Sequence, residues 1–207
     1  GDFLGSGPVP LGWIGMPVAV FAVVGLFNAV YFFDCLDGLA AGMGLLTLIA
    51  LTLVASVTNQ IQILPMLIAC LAAVAGFWVF NMRFHERQPA FVFMGNAGSM
   101  VLGFTLAWFS LQLTQTADAV LPPVYALWFL ALPLIESVSL IARRILARKN
   151  PFQAGRDHLH HLLLAAGLGH AATVWLLLLA QAILTGVGYA CWRAGASEAL
   201  MFSAFIG

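Results

Sequence analysis

Residues 39–57 read LAAGMGLLTLIALTLVASV, a run without one charged side chain. A helix needs about 20 apolar residues to cross the hydrocarbon of a bilayer. This run meets that length and lacks the alternation of a barrel strand. Similar runs flank it at roughly 12–32, 62–80, 98–114, 122–142 and 172–192, with a partial one at 195–207. The gaps are short and carry breakers: Asn59, Gln60 and Gln62 in one, Gln115 to Pro123 with Asp118 and the Pro122-Pro123 pair in another. The expected fold class is therefore all-α, a polytopic transmembrane helix bundle of six full spans plus a truncated seventh. It is expected to form a single integral-membrane domain over residues 1–207.

Composition excludes the other classes. Of 207 residues, 62% are hydrophobic and 8% charged, and the mean hydropathy is +1.00. A soluble domain carries roughly 25% charged residues and could not hide this much apolar surface. Eight Lys+Arg balance eight Asp+Glu, so no polybasic surface exists and no nucleic-acid partner is expected. Cys35, Cys70 and Cys191 lie far apart without metal-ligand spacing and read as isolated apolar-site thiols. The chain opens on Gly without a signal-peptide pattern and stops in a short apolar run, which reads as a piece of a longer protein.

The few charges are informative by position. Seven of the eight Lys/Arg fall in two loops, 81–97 and 143–171, and Arg193 alone dissents. Counting six crossings puts both loops on one side together with loop 33–38, and positive-inside bias makes that side cytoplasmic. Most of the polar chemistry lies there too, in three clusters.

The first is NAVYFFDCLDGLAAG, Asn28 to Gly42. Asp34 and Asp37 are three apart and could share one face of a helical turn. Such a pair suits cation coordination, activation of a nucleophile or binding of hydroxyls; it also suits two solvated acids ending a helix. The second is PAFVFMGNAGSMVLGF, Pro89 to Phe104, where Gly95, Gly98 and Ser99 precede a span. A glycine turn feeding a helix offers backbone N–H groups to an anion; alternatively, Asn96 or Ser99 is a plain N-cap. The third is RDHLHHLLLAAG, Arg156 to Gly167, with three of the chain's five histidines beside Arg156 and Asp157. Imidazoles next to an arginine suit pyrophosphate, and neutral ones a metal.

Smaller features complete the reading. Glu136 falls inside a span, where an acid needs a function or a partner. Asn28 and Asn81, near inner span ends, are candidates for interhelical hydrogen bonds, and Gly42 and Gly44 for close packing. The tryptophans read as interface or packing residues.

In this order the motifs resemble those of the polyprenyl-phosphate N-acetylhexosamine-1-phosphate transferases, glycosyltransferase family 4, from about Asn28 to Gly167. NAVYFFDCLDGLAAG is similar to NxxNxxDGxDGLA, PAFVFMGNAGSM to FMGDxGS, and HLHH to the HxHH of the branch that loads N-acetylglucosamine 1-phosphate onto undecaprenyl phosphate. ALPLIESVSLIARR is similar to that branch's acid-bearing span. The resemblance implies transfer of a sugar 1-phosphate from a UDP-sugar to undecaprenyl phosphate with release of UMP, in a bacterial inner membrane, at the start of envelope polysaccharide synthesis. It implies Mg²⁺ as cofactor and leaves a homodimer open. It also implies Asp34 and Asp37 as catalytic residues, and Asn28, Gly95, Arg156, His158, His160 and His161 as substrate-binding ones.

The sequence departs from the family at the positions that supply metal ligands, which are Tyr31 and Asn96 here. Tyr is a poor Mg²⁺ ligand, and Asn offers only a neutral oxygen. Cys35 replaces the first Gly of the motif, and the family's upstream DDxxD segment is absent from these residues. The alternatives are a catalytically impaired member that retains binding, and a proton-coupled transporter using Glu136 with the histidines. The transporter predicts several buried charges per span, and only Glu136 qualifies.

Overall fold

The computed structural model describes residues 12–85, 89–115, 119–148, 150 and 158–206. These residues are helical, with no strand among them. After one turn of 3-10 helix at Gly12–Ile14, the chain forms α1 (Gly15–Phe33), α2 (Leu39–Val57), α3 (Leu64–Asn81) and α4 (Gly95–Gln115). It continues through α5 (Pro123–Phe129), α6 (Ala131–Leu146), α7 (Leu159–Ala165), α8 (His170–Arg193) and α9 (Glu198–Ile206). Five helices are long and apolar enough to cross a membrane, six if α5 and α6 count as one span. The chain is a multi-pass membrane protein.

α2 is the centre of the bundle, touching α3, α4 and α8, while α1 lies along α4 and α5 against α8. Small residues set the spacing. A Cβ on Gly42 would fall 2.7 Å from Leu178, one on Gly44 2.9 Å from Leu102, and one on Gly103 2.6 Å from the Phe27 backbone. Glycine at a contact between apolar helices lets backbones approach where lipid offers no competing hydrophobic drive. Outward, Met16, Phe21, Met66 and Val101 are exposed, as residues facing acyl chains are.

The span expected over 122–142 is broken into two helices. α5 and α6 meet at 89° across Leu130, and α5 alone, at seven residues, rises only about 10 Å. The cause is Pro133, which has no N–H for the Phe129 carbonyl and whose ring crowds it. The broken backbone is repaired by side chains. Gln181 of α8, without exposed surface, donates from Nε2 to the Phe129 carbonyl (2.8 Å) and accepts the Leu132 N–H on Oε1 (2.9 Å). Thr47 of α2 donates to the same Phe129 carbonyl at 2.7 Å. In an apolar surround every freed backbone group needs such a partner.

One smaller expectation is corrected: Asn28 donates to Val24 of its own helix, at 2.7 Å, and among the described residues makes no bond across to another. Trp128 is buried and donates to the Met201 carbonyl of α9 at 3.2 Å, the packing role of the two expected for the tryptophans.

Candidate functional site

The three sequence clusters meet at one end of the bundle. α1 ends at Phe33, and residues 34–38 form a tight turn into α2, so Asp34 and Asp37 lie on that turn and not on a helical face. Gly38 sits at φ +85°, and a Cβ there would run into Met82. Only glycine fits this position without strain. Asn81 at the end of α3 holds the turn: its Oδ1 accepts the Gly38 N–H at 2.9 Å, and its Nδ2 donates to the Val92 carbonyl at 2.9 Å. Trp78 Nε1 donates to the Gly38 carbonyl at 2.9 Å. One buried asparagine thus ties the first cluster to the second.

The two aspartates occupy different environments. Asp37 accepts from Arg83 at 2.7 Å, through both Nε and Nη2 onto one oxygen. The Asp37 carbonyl lies 3.5 Å from His170 Nε2 at the start of α8. Asp34 is half-buried, and loss of water pushes its carboxyl above the usual range; the Ser99 hydroxyl pulls it down and the Asp37 charge adds a smaller upward push. Burial likewise raises the Cys35 thiol, helped by the charges of Asp34 and Glu136.

Gly95 opens α4 at φ +67°, as the glycine-turn reading expects. Asn96 follows on the first turn and is exposed. Ser99 is not the expected N-cap: it sits inside the helix and donates to the Gly95 and Asn96 carbonyls at 3.3 and 3.1 Å. Tyr31 is partly buried, with its ring 5.9 Å from Phe32.

The histidines join the same end. His158 caps α7, with its ring 5.3 Å from Phe32 and 5.5 Å from His160. His160 has no exposed surface, packs 6.2 Å from Phe33 and lies 4.3 Å from His161. Its pKa is lowered to about 4 by burial first and by the charges of His161 and His158 second, so it is neutral near pH 7. Arg156 and Asp157 lie outside the described residues. Glu136, on the α6 side of the bend, places Oε1 3.2 Å from His158 Nδ1 and 2.6 Å from the Leu159 N–H.

Sequence reasoning missed Arg83 and His170 as partners of Asp37. Arg83 is 46 residues away, and only the sidedness count placed both at one end. The donor set also bears on Mg²⁺. No three His, Cys, Asp or Glu cluster as metal ligands among the described residues. Asp37 is engaged by Arg83, and Tyr31 and Asn96 are neutral. These residues do not fit a Mg²⁺ site, which wants several anionic oxygens.

A bundle of membrane-crossing helices with acids, a glycine turn and histidines gathered at one end belongs to the class of polytopic integral-membrane proteins. Residues 1–114 match the glycosyl transferase family 4, and the chain belongs to that family. It is 34% identical over 188 residues to the undecaprenyl-phosphate alpha-N-acetylglucosaminyl 1-phosphate transferase of Escherichia coli (strain K12), covering 91% of this chain and 51% of that protein. The Salmonella typhi enzyme of the same name is 35% identical over 188 residues, with the same 91% and 51% coverage. That of Pasteurella multocida (strain Pm70) is 36% identical over 148 residues, 72% of this chain and 42% of its own length. The chain spans about half the length of the relatives it matches.

Proposed function

We propose that the protein transfers N-acetylglucosamine 1-phosphate from its UDP derivative to undecaprenyl phosphate, at the cytoplasmic face of the bacterial inner membrane. The observation that carries this reading is the convergence of Asp34, Ser99 and the histidine turn at one end of a membrane bundle in a family 4 chain. One substrate is a lipid whose phosphate lies at the interface and the other is a soluble nucleotide-sugar, so a site at the membrane edge serves both. The named activity of the relatives supports the same substrates.

In this reaction an oxygen of the lipid phosphate attacks the β-phosphorus of the UDP-sugar. The bond from that phosphorus to the bridging oxygen breaks, and UMP leaves with the electron pair. Asp34, with its raised carboxyl, takes the proton of the attacking phosphate. Arg83 holds Asp37 and keeps the turn in register. His158, His161 and Arg156 meet the phosphates, since charge developing on phosphoryl oxygens wants fixed donors. No step is routed through Mg²⁺, because the described donors do not assemble its site.

A second reading, binding without turnover, draws support from Tyr31 and Asn96. The test uses membranes from cells expressing the protein, supplied with UDP-N-acetylglucosamine and undecaprenyl phosphate. UMP release that depends on the lipid and is abolished in Asp34→Asn is the expected result. Retained UDP-sugar binding without UMP, gained on Tyr31→Asn with Asn96→Asp, would establish the second reading. Neither binding nor release would overturn both.

A further inference from the structure

Glu136 is 5% exposed, yet only one of its two oxygens is used among the described residues. Oε1 receives both the Leu159 N–H at 2.6 Å and His158 Nδ1 at 3.2 Å, while Oε2 has no hydrogen-bond partner. A buried carboxylate is costly unless each contact is repaid. This one lies in α6 beyond the bend, and its contacts join the first turn of α7 to α6. The turn it holds carries His158, His160 and His161.

We propose that Glu136 is a positioning residue for the histidine turn. Its Oε1 caps α7 and sets the tautomer of His158. An ionised carboxylate only accepts, so the proton of His158 sits on Nδ1 and Nε2 is the nitrogen left for a phosphate. Phe32 closes the other side of the ring at 5.3 Å, so the imidazole is clamped between an acid and an aromatic face. A partner of this kind fixes the orientation of the imidazole it binds. This role rests on the transferase reading, because it assigns Nε2 to substrate phosphate.

Among the described residues, Glu136 approaches His158 from α6, Phe32 from α1, and His160 and His161 from α7. Of these, Glu136 is the group on Nδ1.

The test compares the parent with Glu136→Gln and Glu136→Ala in membranes, reading kcat, KM for the UDP-sugar and the tautomer of His158 from the ring-nitrogen chemical shifts of ¹⁵N-labelled histidine in solid-state NMR. Glu136→Gln keeps an oxygen for Leu159 and loses the charge. The Nδ1-protonated pattern of His158 should be lost in Glu136→Ala and kept in part in Glu136→Gln. The kcat should drop about 10–100-fold in Glu136→Ala and less in Glu136→Gln, with KM changed little. A His158 pattern that is the same in the parent and Glu136→Ala, or parental kcat in Glu136→Ala, would overturn the proposal. The NMR measurement needs no turnover. A changed pattern in a protein that releases no UMP would sink the transferase reading and leave the Glu136 contact standing, whereas UMP release with an unchanged pattern would do the reverse.

Discussion

His160 has two ring nitrogens and neither has a partner among the described residues, although the residue has no exposed surface. A buried donor or acceptor left unpaired costs about 1–3 kcal/mol, so His160→Leu should hold or raise stability near pH 7. The pH dependence follows from the lowered pKa. An unfolded imidazole takes up a proton near its ordinary 6.5, the native one only near 4. Between those values the unfolded state binds more protons, so stability is whole above about 6.5 and falls as pH drops toward about 4. In His160→Leu that part of the slope should vanish, as thermal unfolding in detergent from about pH 8 to about pH 5 would read. A parental slope in the variant would show that another group carries it. The sequence could place His160 in a cluster but not separate it from His158 and His161. The three differ through contacts with Phe33, Phe32 and Glu136 that no local pattern encodes.

At the scale of elements, the break between α5 and α6 shows what periodicity cannot reveal. Residues 122–142 carry no charge apart from Glu136, and a proline within such a run is compatible with either a kink or a straight span. The repair comes from Gln181 on α8 and Thr47 on α2, 52 and 82 residues from Phe129. Replacing Gln181 by Leu would strand the Leu132 N–H in an apolar surround and leave Phe129 with Thr47 alone. The expected loss is about 2 kcal/mol, read as a lower unfolding temperature. Thr47→Ala alone should cost less, because Gln181 still serves the Phe129 carbonyl. The double variant should lose more than the sum, because the two side chains share that carbonyl. Strict additivity would mean that the bend does not depend on the pair. The other membrane-crossing helices were legible because each is a run of residues that only lipid or a bundle interior tolerates, whereas α7 lies within the stretch 143–171 read as a loop.

For the whole molecule, sidedness was the legible property, since charge placement responds to the membrane and not to tertiary contacts. The pairs Asp37 with Arg83, Gly38 with Asn81, and Phe32 with His158 all join residues assigned to one side by counting crossings. Tyr125 and Ala196, bonded through the phenol and a carbonyl, belong to the opposite end. Among the described residues Arg83, Arg143, Arg144 and Arg148 lie at or toward the first end and Arg193 at the second, and positive-inside bias supports the proposed orientation with the histidine turn in the cytoplasm. The orientation is measurable with single cysteines in a background where Cys35, Cys70 and Cys191 are replaced by Ala. Ala147→Cys, just past α6, and Ile61→Cys, in the turn between α2 and α3, are both exposed. In intact spheroplasts a membrane-impermeant maleimide should label Ile61→Cys and spare Ala147→Cys until the membrane is broken. The inverse pattern would place Asp34 and the histidines outside, away from any nucleotide-sugar, and the proposed reaction would fail with it. Labelling of both positions in sealed spheroplasts would mean that the broken α5–α6 pair does not count as a crossing. The second and third clusters would then stand on opposite faces, which the 5.3 Å approach of Phe32 to His158 and the Arg83–Asp37 bridge do not allow.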